Sequence, residues 1–241
     1  MRSPVDPRLE VRSLTLAFRG GGGVHDVSLE IPQGETLALL GPSGAGKSSL
    51  INLIAGIRAP QKGHISIDGV DVTRRSPGKR ELGVVFQDAP LYDHLSAREN
   101  VLLALSSLAL TQEERSDRVA HSLKIVDMRK LSSRRADVLS GGERARLAMA
   151  RVLARRPKVA LLDEPYAPVD RLFREPLREA VTAHLQQIGA AVLHVTHDPN
   201  EAKAIAHRVA IMIDGSIRQV GTFEEVCAQP CDSTVGALLK G

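Results

Sequence analysis

Thr36-Leu-Ala-Leu-Leu40 runs directly into Gly41-Pro42-Ser43-Gly44-Ala45-Gly46-Lys47-Ser48, and this stretch decides the fold. Four aliphatic side chains in five residues read as a strand buried on both faces, as in a parallel sheet. The octet that follows has the form G-x-x-x-x-G-K-[ST], and Lys47 to Ala55 reads as a helix ended by Gly56. Strand, glycine turn and helix form an anion site, because successive backbone N–H groups converge on a phosphate and the helix N-terminus adds about half a positive charge. Gly41, Gly44 and Gly46 allow backbone angles and close approach that a Cβ would block. Pro42, Ser43, Ala45 and Ser49 complete the cradle. Lys47 supplies a cation for the β- and γ-phosphates, and Ser48 supplies a hydroxyl ligand for Mg²⁺.

A second apolar run, Val159-Ala-Leu-Leu162, ends in Asp163-Glu164-Pro165. Carboxylates at the C-terminal end of a buried parallel strand sit where ligands of open α/β sheets lie. Asp163 is placed to hold the Mg²⁺ shell, and Glu164, one residue on, to accept a proton from an attacking water. Leu139-Ser140-Gly141-Gly142-Glu143 has no obvious use in a lone phosphate-loop enzyme. Its presence suggests a nucleotide gripped from two sides, and so a motor.

The 241 residues allow one core, with 43% hydrophobic and 25% charged residues, ordinary for a soluble globular chain. Base exceeds acid by only four charges, which suits nucleotide, anionic headgroups or nucleic acid about equally. Aromatic residues at 2%, without Trp, leave no base-stacking platform for single strands. No run of eighteen apolar residues occurs, and Val101 to Leu110 is too short to span a bilayer. No signal peptide is expected, and Cys227 and Cys231 read as reduced thiols of a cytosolic protein.

Short β segments come first, at Leu9 to Val11, Val27 to Ile31, around Ile65 and Ile67, and at Gly83 to Phe86. From Leu91 to about Arg156 the pattern is helical, with capping boxes at Ser96–Glu99 and Thr111–Glu114. Strands return at Val159, Ala191 to Val195 and Val209 to Ile213, and Asp214-Gly215 turns the last into a hairpin with Ile217 to Val220. Gly20 to Gly23 reads as a flexible loop, Pro176 as a break or restart of the following helix near Glu175, and Asp198 to Glu201 as a further capping box. The expected fold is an α/β phosphate-loop core of mixed sheet with an N-terminal antiparallel β region. A helical subdomain at about 88–156 is inserted in that core, within a single domain over 7–240.

These motifs, in this order over essentially the whole chain, resemble the nucleotide-binding subunit of ATP-binding cassette (ABC) transporters. Gln87 matches the family's Q-loop glutamine, Leu139 to Glu143 its signature (commonly LSGGQ), Asp170 its D-loop aspartate and His197 its switch histidine. Phe18 stands where members carry an aromatic that stacks on adenine. The resemblance implies a head-to-tail dimer holding two ATP molecules with Mg²⁺. Each site would pair Phe18, the Gly41 to Ser48 loop, Gln87, Asp163, Glu164 and His197 of one copy with Ser140, Gly141, Gly142 and Glu143 of the other. Gln87 would also touch the metal and relay to a membrane subunit. It further implies separate transmembrane permease subunits, a periplasmic or lipoprotein solute-binding protein, and a peripheral position on the cytoplasmic face of the inner membrane. Pro77 to Gln87 and Leu91 to Ser96 are similar to importers of thiamine, oxyanions, polyamines or iron, the thiamine type closest in size. With so short a C-terminus, no added regulatory domain of the kind many sugar and oxyanion importers carry is expected. The alternatives are a lipid or lipoprotein exporter subunit and a soluble cassette ATPase of DNA repair or translation. No nucleic-acid partner is expected. Glu143 and Pro168 depart from the usual pattern; Ser140 would have to cap a helix and meet a γ-phosphate.

Overall fold

The computed structural model describes residues 7–88 and 90–239; the expected domain limit at 240 lies outside them. In chain order the elements are β1 (Leu9–Ala17), β2 (Gly23–Ile31), β3 (Thr36–Leu40), α1 (Lys47–Ala55), β4 (Lys62–Ile67), β5 (Val70–Asp71) and β6 (Leu82–Val85). Three helices follow: α2 (Ala97–Ala104), α3 (Gln112–Ile125) and α4 (Gly141–Arg155). The chain continues with β7 (Val159–Asp163), α5 (Arg171–Gln187), β8 (Ala191–Val195), α6 (Pro199–Ile205), β9 (Arg208–Ile213) and β10 (Ser216–Gly221). Helices α7 (Phe223–Ala228) and α8 (Ser233–Leu238) complete it.

Two sheets form. The antiparallel one has the order β2-β1-β4-β5; the mixed one has the order β10-β9-β3-β8-β7-β6, parallel except for the β10–β9 hairpin. Every residue of β3, β7 and β8 is buried, and the alternation of their side chains explains the unbroken apolar runs. Leu37 and Leu39 pack with α1 and the antiparallel sheet, whereas Ala38 and Leu40 pack with α6, α7 and α8. Val159 and Leu161 join the α1 layer, while Ala160 and Leu162 join the core of α2, α3, α4 and α5. The strand that ends in Asp163 therefore binds the helical insertion to the phosphate-loop layer.

Local chemistry sets the helix ends. Ser96–Glu99, Thr111–Glu114 and Ser140–Glu143 are complete capping boxes, each satisfying two otherwise free N–H groups. The other end of α1 is closed by Arg80, which is only 2% exposed. Its Nη1 donates to Leu53 O at 2.9 Å and Ile54 O at 2.8 Å, Nη2 to Thr73 O at 2.7 Å and Nε to Arg75 O at 2.9 Å. A cation at a helix C-terminus meets the negative end of the dipole. Arg80→Ala strands these buried carbonyls and is expected to lower the unfolding free energy by about 3 kcal/mol. Urea denaturation would register this as a lower midpoint at unchanged slope.

Three expectations are corrected. Pro176 does not break the helix, since α5 runs unbroken from Arg171 to Gln187. The proline removes one hydrogen bond near the start, and burial of Leu177, Val181 and Leu185 against the helical core holds the helix across it. Gly20 to Gly23 is a defined hairpin turn rather than a loose loop: Gly21 N–H donates to Phe18 O at 3.1 Å and Phe18 N–H to Gly22 O at 3.2 Å. Gly23 already belongs to β2. Finally, Asp198 caps α6 alone, accepting from Asn200 N–H at 2.8 Å, while Glu201 turns inward to His194. The Asp198 N–H is taken instead by the Thr196 hydroxyl at 3.1 Å, which leaves the Glu201 carboxylate to the buried imidazole.

Candidate functional site

The sharp turn after β3 and the N-terminus of α1 border a cavity of about 600 Å³. Ser43, Gly44, Ala45, Gly46, Lys47, Ser48 and Ser49 line one wall, Phe18 and Gly21 to Gly23 another, and Gln87, Asp163, Glu164 and His197 the rest. Gly46 has φ 100°, and a Cβ there would lie 2.5 Å from Gly23 O; only glycine fits between the loop and the β1–β2 turn. Gly41 and Pro42 lie beneath the loop and orient Lys47, whose Nζ donates to Gly41 O at 2.7 Å and Pro42 O at 3.0 Å. Burial pushes the Lys47 ammonium below its ordinary range, while the nearby charges of Glu164 and Asp163 work in the opposite direction.

Burial raises the Asp163 carboxyl above the usual carboxylate range and the neighbouring charge of Glu164 adds to this, whereas Ser48 lowers it. Glu164 follows with φ 46°, an uncommon conformation for a non-glycine residue that costs roughly 1–3 kcal/mol. Its N–H donates to Val195 O at 3.0 Å, and the turn carries the side chain out of the sheet. Glu164 Oε1 lies 3.2 Å from His197 Nδ1. The β7 and β8 ends thus bring together two residues far apart in sequence. Gln87 stands two residues beyond β6, where the core meets the helical insertion. Phe18 reaches the cavity because the glycine turn folds it back, and Arg58 lies over its ring at 5.2 Å.

The hard oxygen donors Ser48, Asp163 and Gln87, all of which line this cavity, suit a divalent cation of the Mg²⁺ class. The open space at Gly44 leaves room for phosphate oxygens against the backbone.

Ser140 to Glu143 and Asp170 do not line this cavity. Ser140 caps α4, with Ser140 N–H donating to Glu143 Oε2 at 2.7 Å and Glu143 N–H to Ser140 Oγ at 3.3 Å. The Ser140 N–H bond holds the Glu143 carboxyl below its usual range. Gly142 packs beside Pro168, so close that a Cβ would lie 3.1 Å from Pro168 O. Asp170, exposed, caps α5 without a side-chain bond. The signature and the Pro168–Asp170 segment are therefore neighbours, separate from the phosphate loop of their own chain. Sequence reading missed Arg58 and the lining glycines Gly21 and Gly22. It also left His194 and Glu201 outside the site, and only a buried polar pair in space reveals them.

This arrangement defines a phosphate-loop nucleotide-binding fold with an inserted helical subdomain. The ABC transporter family matches residues 24–167, and the chain belongs to that family. It is 40% identical over 229 residues to the putrescine transport ATP-binding protein PotG of Escherichia coli, covering 95% of this chain and 61% of the relative. It is also 40% identical over 220 residues to the Fe(3+) ions import ATP-binding protein FbpC of Vibrio cholerae, covering 91% and 63%. The chain thus spans less than two thirds of the length of these relatives. Among solved structures, CbiO1 of Clostridium perfringens, part of the ABC transporter complex CbiONQ, superposes with a TM-score of 0.81 at 28% identity, covering 93% of this chain and 92% of that one. The ATP-binding cassette MJ0796, in a dimeric post-hydrolysis state bound to ADP and phosphate, gives 0.79 at 29% identity, covering 89% and 98%. No helix among the described residues is long and apolar enough to cross a membrane.

Proposed function

We propose that this chain is the ATP-binding and hydrolysing subunit of a multi-subunit transporter that imports a solute across the membrane. The observation that carries the reading is the convergence of Lys47, Ser48, Gln87, Asp163, Glu164 and His197 on one cavity, with Ser140 to Glu143 outside it. Such a divided site is completed when a second copy lays its Ser140 segment over the first copy's phosphate loop. The dimeric relative bound to ADP and phosphate supports this arrangement.

In that assembly the loop N–H groups and the α1 N-terminus hold the phosphates. Lys47 exchanges the Gly41 and Pro42 carbonyls for β- and γ-phosphate oxygens. Phe18 stacks on the adenine. Glu164 takes the proton of the attacking water, and His197, in contact with it, orients that carboxylate toward the γ-phosphate. Mg²⁺, when held by Ser48, Asp163 and Gln87, neutralises developing phosphate charge. Ser140 can keep its cap and still serve the partner's nucleotide: its oxygen accepts from Glu143 N–H, while its O–H proton, which faces the Glu143 carboxylate, can turn to a phosphate oxygen. Asp170 and Pro168, beside Gly142, belong to the same dimer face. Hydrolysis removes shared contacts and lets the copies separate.

The relatives named for putrescine transport and Fe(3+) import favour the import direction and a place on the cytoplasmic face beneath permease subunits, fed by a solute-binding protein. Phosphate release by the purified chain tests the chemistry. Turnover with ATP and Mg²⁺ should fall to background on chelation with EDTA and return with added Mg²⁺. Turnover indifferent to chelation would contradict the assigned oxygen site.

A further inference from the structure

Behind the Glu164–His197 contact lies a polar cluster that the cavity for nucleotide does not include. His194, on β8, is 1% exposed and Glu201, on α6, 7%. His194 Nε2 lies 2.6 Å from Glu201 Oε1. Tyr166, also 1% exposed, stacks on the imidazole at 5.7 Å between ring centroids, 24° from parallel. A buried carboxylate and imidazole cost desolvation, which their short hydrogen bond offsets.

What it fixes follows from its position. His194 and Glu201 flank Thr196, His197 and Asp198, so their bond closes a short loop whose apex carries His197. The Thr196 hydroxyl accepts from Asp198 N–H at 3.1 Å, tightening the same loop. Tyr166 belongs to the turn that follows Glu164, so the stacked ring ties the loop to the turn bearing the proton acceptor. A cavity of about 50 Å³ joins Glu201 to Glu164, His197 and Arg174. Arg174 has a buried Nε without a partner among the described residues, and its Nη2 donates to Val169 O at 3.0 Å. The stacked ring and the 2.6 Å bond thus join two chain segments, 164–166 and 194–201.

We propose that Glu201, bonded to His194, is a positioning residue that holds His197 against Glu164. The inference rests on the assignment of His197 and Glu164 above. Glu201 touches no substrate in this account and acts through the loop it closes.

A double-mutant cycle on the full chain tests it, with turnover counted per nucleotide-binding site so that misfolded protein drops out. His197→Ala is expected to lower kcat about 100-fold and Glu201→Ala about 10-fold, each with KM for ATP within about 2-fold. The double variant should be no slower than His197→Ala alone, rather than about 1,000-fold down as independent sites require. Glu201→Gln, which retains a hydrogen bond to His194, should restore turnover to within about 3-fold of the parent. His194→Phe, which can stack on Tyr166 but cannot bond Glu201, should reproduce the Glu201→Ala loss and covers the case in which Glu201→Ala fails to fold. Multiplicative losses in the cycle, or normal kcat in His194→Phe, would overturn the positioning role and leave the His197 assignment standing. Normal turnover in His197→Ala would instead remove the reading on which the inference rests.

Discussion

Glu164→Gln is expected to lower ATP turnover by at least about 100-fold while leaving nucleotide affinity within a few-fold, because removing a general base costs about 10²–10⁴. The substitution preserves shape and keeps an oxygen to face His197 Nδ1, now 3.2 Å from the carboxylate. It removes only the ability to take a proton. The phosphate-holding parts, namely the loop N–H groups, Lys47 and Ser48, are unaffected. ATP should therefore bind and remain, and the variant with ATP should sediment at twice the 26.0 kDa chain mass. Phosphate release and sedimentation velocity on the same sample measure both halves. Turnover at the parent rate would require another proton acceptor.

Lys47→Ala should be the second severe change, for a different reason. Lys47 is 8% exposed, and its ammonium lies near the charges of Asp163 and Glu164. A triphosphate entering without it would meet two carboxylates and no side-chain cation of the phosphate loop. Losing one charge-assisted hydrogen bond of about 1.5–3 kcal/mol corresponds to roughly a 10- to 100-fold weaker affinity. Turnover should fall to background, since the same ammonium offsets charge that develops on the γ-phosphate. Titration with a fluorescent ATP analogue separates the binding loss from the chemical one. Robust hydrolysis by this variant would contradict the assigned cradle.

The phosphate loop was legible because its requirements are local. A strand buried on both faces, glycines at strained positions and a lysine at a helix start must be adjacent in sequence to work at all. Asp163 and Glu164 were legible for the same reason, as carboxylates released at the end of the apolar run Val159 to Leu162. Capping boxes at Ser96, Thr111 and Ser140 were also readable, since each is complete within four residues. Asp198 to Glu201 has the same pattern, yet Glu201 bonds His194 across the β8–α6 seam. Sequence spacing cannot distinguish a cap from a buried partner when both lie within reach. Pro176 misled for a related reason: a breaker is judged on the backbone alone, whereas α5 is held by the burial of Leu177, Val181 and Leu185. Arg80 was invisible because its four carbonyl partners come from two segments distant from each other in sequence, Leu53–Ile54 and Thr73–Arg75. The role of the Ser140 segment rested on resemblance, as nothing in its own residues says what it faces.

The division of the site between Lys47 and Ser140 makes one measurement decisive: phosphate release per chain against chain concentration, for the parent and for Ser140→Arg. If one triphosphate is enclosed by two copies, release per chain rises with concentration in the parent and stays near background in Ser140→Arg, which still binds ATP. Release per chain that is constant on dilution, and equal in Ser140→Arg, would mean that a single copy completes the reaction alone.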